Sequence, residues 1–560
     1  AAEIESQAEV PASPRRRANA WAWGSCRRPA SACCLIHAAV LVLALLRVFG
    51  CFDQGCDIGC TPEVFWPPRP DPDEDWPAVD PQLALPETCP RGPAEPPRFP
   101  SAHSLLLEQE PPPIRIPLSG AGRMSGVFSQ WKCVGDMESV EGLDRRTCVF
   151  SDVCYDVARR EFAFFRQEGL PPEPVLYDHR RGRVFHFRQR RSEGHPVDSD
   201  FVRLNRWLPW GGDVVSWEPD AEHRAPRARP HLRVYTWAPH IRLGPRPENH
   251  TLLPGLHALS APLYATNIGH VLWNEVFPLF GSMLRLGVHA ECLQVIRTHG
   301  CEVFTEEGKR ELCARFERGM FAPLQGPCGK ALLTLPQLVA ANPGHRHICF
   351  EQVLAGASYD LLETEELNVG LEPIFRALRA RVLAWYGIDP AQAPRSHQIL
   401  MVKKEGRRSI HNFDAVAAHV QARFGNVSRV CSETFLGLTW AQQFRIIADT
   451  TVAVSPCGGI SMLLPFLPSG AFAILINYMR PFPVLLGTFL QPVEHGECAY
   501  CSWTMEAELW THVAHVRKSF YQVWGRRDFA EGRPGRDGAV VVNPARLARL
   551  VETALAAMAL

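Results

Sequence analysis

The residues best suited to chemistry fall in three separated runs of this 560-residue chain. The first is Val454-Ser455-Pro456-Cys457-Gly458-Gly459-Ile460-Ser461, which leads to Leu463-Leu464-Pro465-Phe466-Leu467-Pro468-Ser469-Gly470-Ala471. A strand, two glycines and a short helix in that order let backbone N–H groups approach an anion, and the helix start adds favourable partial charge. A diphosphate fits that description, although an ordinary α/β turn has the same local pattern. The second run is Gln398 to Asn412, in which a strand leads into Lys403-Lys404-Glu405-Gly406-Arg407-Arg408. Guanidinium groups there can bind diphosphate oxygens and stabilise the charge that develops as a nucleotide leaves; a solvated basic turn is the plain alternative. Strand alternation sends one of the two lysines away from whatever the other faces, and Lys403 is assigned to the site. The third run is Tyr264-Ala265-Thr266-Asn267-Ile268-Gly269-His270-Val271-Leu272-Trp273-Asn274-Glu275-Val276-Phe277-Pro278. His270 and Glu275 each have the chemistry of a general base for a hydroxyl, while a histidine packing a helix start is the alternative for His270.

The elements that must position these residues are legible around them. Thr451 to Ser455 reads as a buried strand, Ser461 to Phe466 as a short helix and Ala471 to Ile476 as the next strand. Ile399 to Val402 is a further strand. Val416, Val420 and Phe424 share a helix face, as do Trp440, Phe444 and Ile447. Asn543-Pro544 reads as a cap and first-turn proline of a final helix lined by Leu547, Leu550, Val551, Ala554 and Leu555. Leu371, Phe375, Leu378, Val382 and Tyr386 describe a long amphipathic helix ending before Ile388-Asp389-Pro390. The expected class is α/β, with two Rossmann-like domains at 118–390 and 391–560.

Ahead of them, Arg15 to Arg17 and Arg27-Arg28 precede an apolar run from about Ala30 to Leu46. The run is read as a signal-anchor helix over 30–52, with a cytosolic tail at 1–29 and the remainder lumenal. Prolines dominate 53–117, from Trp66-Pro67-Pro68 to Pro111-Pro112-Pro113, as in an extended spacer. Nineteen cysteines fit an oxidising compartment. Cys133, Cys148 and Cys154 are expected to staple the start of the globular part. Cys498-Ala499-Tyr500-Cys501 has no second pair at ligand spacing and is read as structural. The sequons Asn249-His250-Thr251 and Asn426-Val427-Ser428 are compatible with a lumenal route.

Composition excludes other classes. Only six of the 59 basic residues are lysines, an arginine bias that weakens any arginine cluster as a nucleic-acid signal, and the formal net charge is zero. The Arg183-Val184-Phe185-His186-Phe187-Arg188 stretch reads as a strand with polar ends. Asp198-Ser199-Asp200 has metal-ligating spacing but no strand directly before it, so no metal is expected. No Gly-x-Gly-x-x-Gly follows an early strand, which disfavours an oxidoreductase.

The glycine-containing run resembles the signature of glycosyltransferase family 61, a strand followed by His-Gly-Ala-Gly-Leu-Thr-Asn, two apolar residues and Phe-Leu-Pro-Pro-Gly-Ala. Gly458, Phe466, Leu467, Pro468, Gly470 and Ala471 match; Cys457 stands for the His, Gly459 for the Ala, Ile460 for the second Gly and Met462-Leu463 for Thr-Asn. The Gln398–Asn412 run and Gln443 are similar to further family positions. So is the run around His270, where the family's acid falls on Asn274 or Glu275 according to the end from which one counts. Thr147 to Asp156 resembles the segment that opens the family's catalytic domain, with Cys148 and Cys154 as a candidate disulfide. The resemblance implies a GT-B fold, two Rossmann-like domains facing across a cleft, and inversion at the anomeric carbon without cofactor or obligatory metal. It also implies a UDP-sugar donor, a glycan or glycoprotein acceptor and a Golgi or ER location. Carried over, Lys403, Arg407, Arg408, Asn412, Gln443, Cys457, Gly458, Gly459 and Ser461 bind the donor, and His270 or Glu275 is the base. The departures at Cys457 and the acid also fit a catalytically silent binding relative.

Overall fold

The computed structural model describes residues 64–65, 83–91, 126–134, 146–168, 176–178, 183–185, 202–204, 214–216, 234–287, 293–326, 330–356, 372–476, 510, 513, 515–521, 528–530 and 538–558. The apolar run at 30–46, Asp198-Ser199-Asp200 and the Cys498/Cys501 pair lie outside them. No helix among the described residues is long and apolar enough to cross a membrane.

The first half is a mixed sheet. Thr147–Asp156 (β1) lies antiparallel to His347–Ala355 (β4), which runs parallel to Thr251–Ser260 (β2), which in turn runs parallel to Gln294–Arg297 (β3). A Rossmann-like arrangement is therefore confined to one side, where β2, the helical stretch to Leu286 and β3 form a parallel crossover. On the other side Gln130–Val134 and Glu161–Arg166 attach to β1 as antiparallel neighbours, and His240–Leu243 adds a parallel edge strand to the latter. Disulfides fix that side: Cys133 pairs with Cys148 across the hairpin, and Cys154 pairs with Cys349 of β4. The expected Cys148–Cys154 bond does not form. Both residues lie on β1, and six residues of strand span about 20 Å, beyond any disulfide's reach. Arg183–Phe185 is a strand, paired with Leu176–Asp178.

The second half is an all-parallel sheet of Gln398–Val402 (β5), Arg429–Glu433 (β6), Val452–Pro456 (β7), Phe472–Ile476 (β8) and Arg517–Tyr521 (β9), in spatial order β6-β5-β7-β8-β9. Its central strands β5, β7 and β8 are largely apolar on both faces, as sheets covered on both sides require. Ile399, Met401, Val452, Val454, Phe472 and Ile474 enter one cluster with the helices Phe413–Phe424 and Pro544–Met558. Leu400, Val402, Ala453, Ala473 and Leu475 alternate into a second cluster, which also holds Ala258 and Val295 of the first sheet. That shared cluster joins the two halves, and helix Glu372–Trp385 contributes Phe375, Leu378 and Val382 to it.

The proline-rich stretch expected to be a spacer supplies both outer strands of the parallel sheet. Val64–Phe65 pairs with β9 and Glu87–Thr88 with β6. Cys89 is bonded to Cys431 of β6, and the Arg91 guanidinium forks onto the Glu433 carboxylate through two contacts of 3.1 Å. Proline at the rim of a sheet is no obstacle, because an edge strand needs only one side of its backbone for pairing.

Candidate functional site

Between β5 and β7 the strand order reverses, since the connection from β5 goes to β6 on one side while β7 lies on the other. Open α/β sheets take ligands in the crevice beyond the carboxyl ends of the strands at such a point. The residues leaving those ends are Lys403-Lys404 after β5 and Cys457-Gly458 after β7.

The two lysines diverge as the pleat dictates. Lys403 continues the outer face of β5, with Nζ 2.9 Å from the Asp414 carboxylate and 5.4 Å from the centre of the Phe413 ring. Lys404 turns the other way, and its Nζ donates to the Cys457 carbonyl at 2.9 Å. Lys404, and not the Lys403 expected at the donor, is thus the lysine turned towards the glycine run. Because β5 is apolar on both faces, the sequence carries no sign of which parity faces the crevice.

Gly458 has φ of 122°, where side-chain-bearing residues are strained, and a Cβ there would lie 2.7 Å from Lys404 Nζ. Ser461 is buried and donates to the Gly458 carbonyl at 2.6 Å, tightening the entry to the 3-10 helix Gly459–Phe466. Cys457 is buried as a thiol. Arg408 sets Nη1 4.0 Å from the Cys457 sulfur and holds a left-handed backbone, φ 57°. Arg407 is exposed on the same turn.

Asn412 and Gln443, expected at the donor, have structural tasks. The Asn412 amide exchanges two hydrogen bonds with the Val542 backbone, at 2.8 and 2.9 Å, and so ties helix Phe413–Phe424 to the segment before the last helix. Gln443 is buried and donates to the carbonyls of Phe435 and Leu438, closing the loop after β6.

The first half presents its own segment to this turn. Beyond the carboxyl end of β2 the chain forms a short helix, Ile268–His270, capped by Asn267, whose Oδ1 accepts from the Gly269 N–H at 3.0 Å. Asn267 and Ile268 pack on Gly459 so closely that a Cβ there would lie 2.8 Å from Asn267 Oδ1. The helix passes directly into a π-helical turn, Val271–Val276, a rare form that recurs at functional sites. In that turn three consecutive side chains take three directions. Trp273 donates to the Met462 carbonyl at 3.1 Å, Asn274 Oδ1 lies 2.6 Å from His270 Nδ1, and Glu275 lies 2.5 Å from the Arg297 guanidinium. With the amide oxygen of Asn274 as acceptor, His270 donates from Nδ1, and in the neutral ring the unprotonated nitrogen is then Nε2. The ring of Tyr264 lies over the imidazole, 4.7 Å between centres.

Glu275 is engaged by Arg297. It is buried with Arg297, which also pairs with Glu317, and burial pushes its carboxyl above the ordinary range while the guanidinium offsets part of that rise. Of the two candidate bases, the geometry brings only His270 to the segment that meets the glycine turn.

Groups that the sequence did not single out hold the 3-10 helix from behind. The buried Arg379 donates to the carbonyls of Phe466 and Leu467 at 3.3 and 2.9 Å, and His515 Nε2 lies 2.9 Å from the Pro465 carbonyl. Burial lowers the Arg379 guanidinium to about 10, which leaves it charged at neutral pH. A cation against the final carbonyls of a helix complements its dipole. Arginine is common enough here that one inside an amphipathic helix carries no signal.

Cys301, Cys313 and Glu317 lie close enough to suggest a metal, but the two cysteines are bonded to each other and offer no thiolate. The chain matches no protein-family model and no curated protein, so the arrangement is interpreted on its own geometry.

Proposed function

We propose that the chain is an inverting glycosyltransferase that moves a sugar, xylose, N-acetylglucosamine or a relative, from a UDP-sugar to a hydroxyl of a glycan or glycoprotein. The observation that carries this reading is the convergence of Lys404, Arg408 and the Gly458–Gly459 turn where the parallel sheet reverses its order. Two cations beside a glycine turn suit a diphosphate, and they supply without a metal the charge that a leaving nucleotide needs. The donor would lie on the second half, in a GT-B-like arrangement with the first.

His270 Nε2 would take the proton of the acceptor hydroxyl, with Asn274 holding Nδ1–H. The acceptor oxygen forms a bond to the anomeric carbon as the bond to the diphosphate breaks, and Lys404 and Arg408 receive the negative charge. The disulfides support an oxidising lumen as the site of action, reached through the anchor at 30–52. A catalytically silent relative that binds glycans through the same crevice is the second reading. It is favoured by Asn274 at one of the acid positions and by the engagement of Glu275 with Arg297. Incubating the full chain with a panel of UDP-sugars, with and without EDTA, tests the proposal. Turnover of one donor, undiminished by EDTA, is expected; nucleotide binding with no turnover selects the silent relative.

A further inference from the structure

Four residues other than glycine hold a left-handed backbone among the described residues, and two of them, Tyr264 and Arg408, are at the candidate site. Tyr264 has φ of 54°. A tyrosine there is strained, and such strain persists only where the surroundings over-determine it. The surroundings can be named. The Tyr264 carbonyl accepts from the Asn267 N–H at 2.8 Å, closing the turn that delivers the capping Asn267. Ser260, at the end of β2 four residues before Tyr264, directs its Oγ to the Glu275 carboxylate at 3.5 Å. Glu275 is in turn held by Arg297, whose second carboxylate partner is Glu317. A buried ion pair is weak evidence for stability, but it fixes geometry well.

We infer that the Arg297–Glu275 pair and the left-handed turn at Tyr264 form one positioning device, which clamps the His270 imidazole between the Tyr264 ring and Asn274. Tyr264 lies over the face of the imidazole and Asn274 fixes its Nδ1 edge, so the ring keeps one plane and one tautomer. Nε2 then points in a constant direction. Tyr264 and Glu275 are positioning residues and not catalytic ones, because neither has to touch substrate for this.

The test uses the full chain labelled with 15N at histidine, beside Tyr264→Gly, Tyr264→Phe and Glu275→Gln variants, with His270→Gln to assign the signal. The readouts are the downfield Nδ1–H signal of His270, which slow exchange should make visible, and the midpoint of urea unfolding. Tyr264→Gly relieves the backbone strain, so its midpoint is expected to be unchanged or higher while the His270 Nδ1–H signal broadens away. Tyr264→Phe keeps ring and signal, and Glu275→Gln weakens the signal with a lower midpoint. A signal retained in Tyr264→Gly overturns the inference. So does a lower midpoint for that variant, since Tyr264 would then serve packing. Only the naming of His270 as a base rests on the proposed function, and both readouts are taken without ligand. A chain that transfers no sugar but shows the expected NMR pattern would contradict the function and leave the device standing. In a chain that does transfer sugar, Tyr264→Gly is expected to lower kcat at least tenfold with KM for the donor changed less than threefold.

Discussion

The indole Nε1–H of Trp273 donates to the main-chain carbonyl of Met462 at 3.1 Å, from the π-helical turn beside His270 to the 3-10 helix after the Gly458–Gly459 turn. The indole also stacks on Phe375 of the long helix, 4.9 Å between centres and 9° between planes. One side chain therefore sets the distance between the proposed base and the proposed donor turn.

Trp273→Phe keeps most of the stacking and leaves a buried carbonyl without its donor. It should cost about 1–3 kcal/mol, whereas Trp273→Ala should cost about 3–5 kcal/mol. Urea unfolding read by circular dichroism checks the order; equal costs for the two variants would show that the hydrogen bond contributes nothing.

Segment 83–91 belongs to the folded head. Cys89→Ser should lower stability by about 2–4 kcal/mol, and reduction of the wild type, which also opens Cys133–Cys148, Cys154–Cys349 and Cys301–Cys313, should lower it further. A chain that begins at residue 118 leaves Cys431 without Cys89 and Glu433 without Arg91. Its melting temperature should be several degrees lower, by scanning calorimetry, than that of a chain beginning at residue 61.

Acid should weaken the fold through two histidines buried in their neutral form. Burial lowers His515 to about 3, reinforced by Arg379, and lowers His257 to about 4. A depressed folded value means that the unfolded chain binds the proton first. Their contribution is whole above the ordinary 6.5 and declines as pH falls towards 3–4. The slope is at most about 1.4 kcal/mol per pH unit for each group. His515→Gln, which keeps a donor for the Pro465 carbonyl, should flatten urea midpoints plotted between pH 6.5 and 4; an unchanged slope would remove His515 from the account.

Asn249 and Asn426 are both exposed, in the bend before β2 and in the turn before β6. Val427, beside Asn426, is an exposed apolar side chain, 63% accessible, that a sugar can cover. Expressed in a secretory host, the chain should lose two glycans to a peptide amidase, one fewer in Asn249→Gln and one fewer in Asn426→Gln. A secreted chain with no shift would contradict the lumenal reading.

The second half of the fold was legible because its strands and helices carry their own periodicity. Val416, Val420 and Phe424, or Trp440, Phe444 and Ile447, announce helices that pack as expected. The first half was less so, since its sheet depends on pairing between Thr147–Asp156 and His347–Ala355, strands far apart in sequence. The edge strands in the proline-rich stretch were hidden because two residues of pairing leave no periodic trace. At the proposed site, the turn, Arg408 and His270 could be named from residue type. The choices of Lys404 over Lys403 and of His270 over Glu275 could not, because each depends on which way one side chain leaves a buried backbone.

The most direct test of the central claim is UDP binding, by calorimetry, to the wild-type chain and to Lys404→Ala, Arg408→Ala and Lys403→Ala. Loss of a charge-assisted contact worth about 1.5–3 kcal/mol predicts a roughly 10- to 150-fold weaker Kd for the first two variants. Lys403, engaged with Asp414 on the far face, should leave Kd unchanged. Absence of UDP binding by the folded wild type, or equal losses in Lys403→Ala and Lys404→Ala, would contradict a nucleotide site at this sheet reversal.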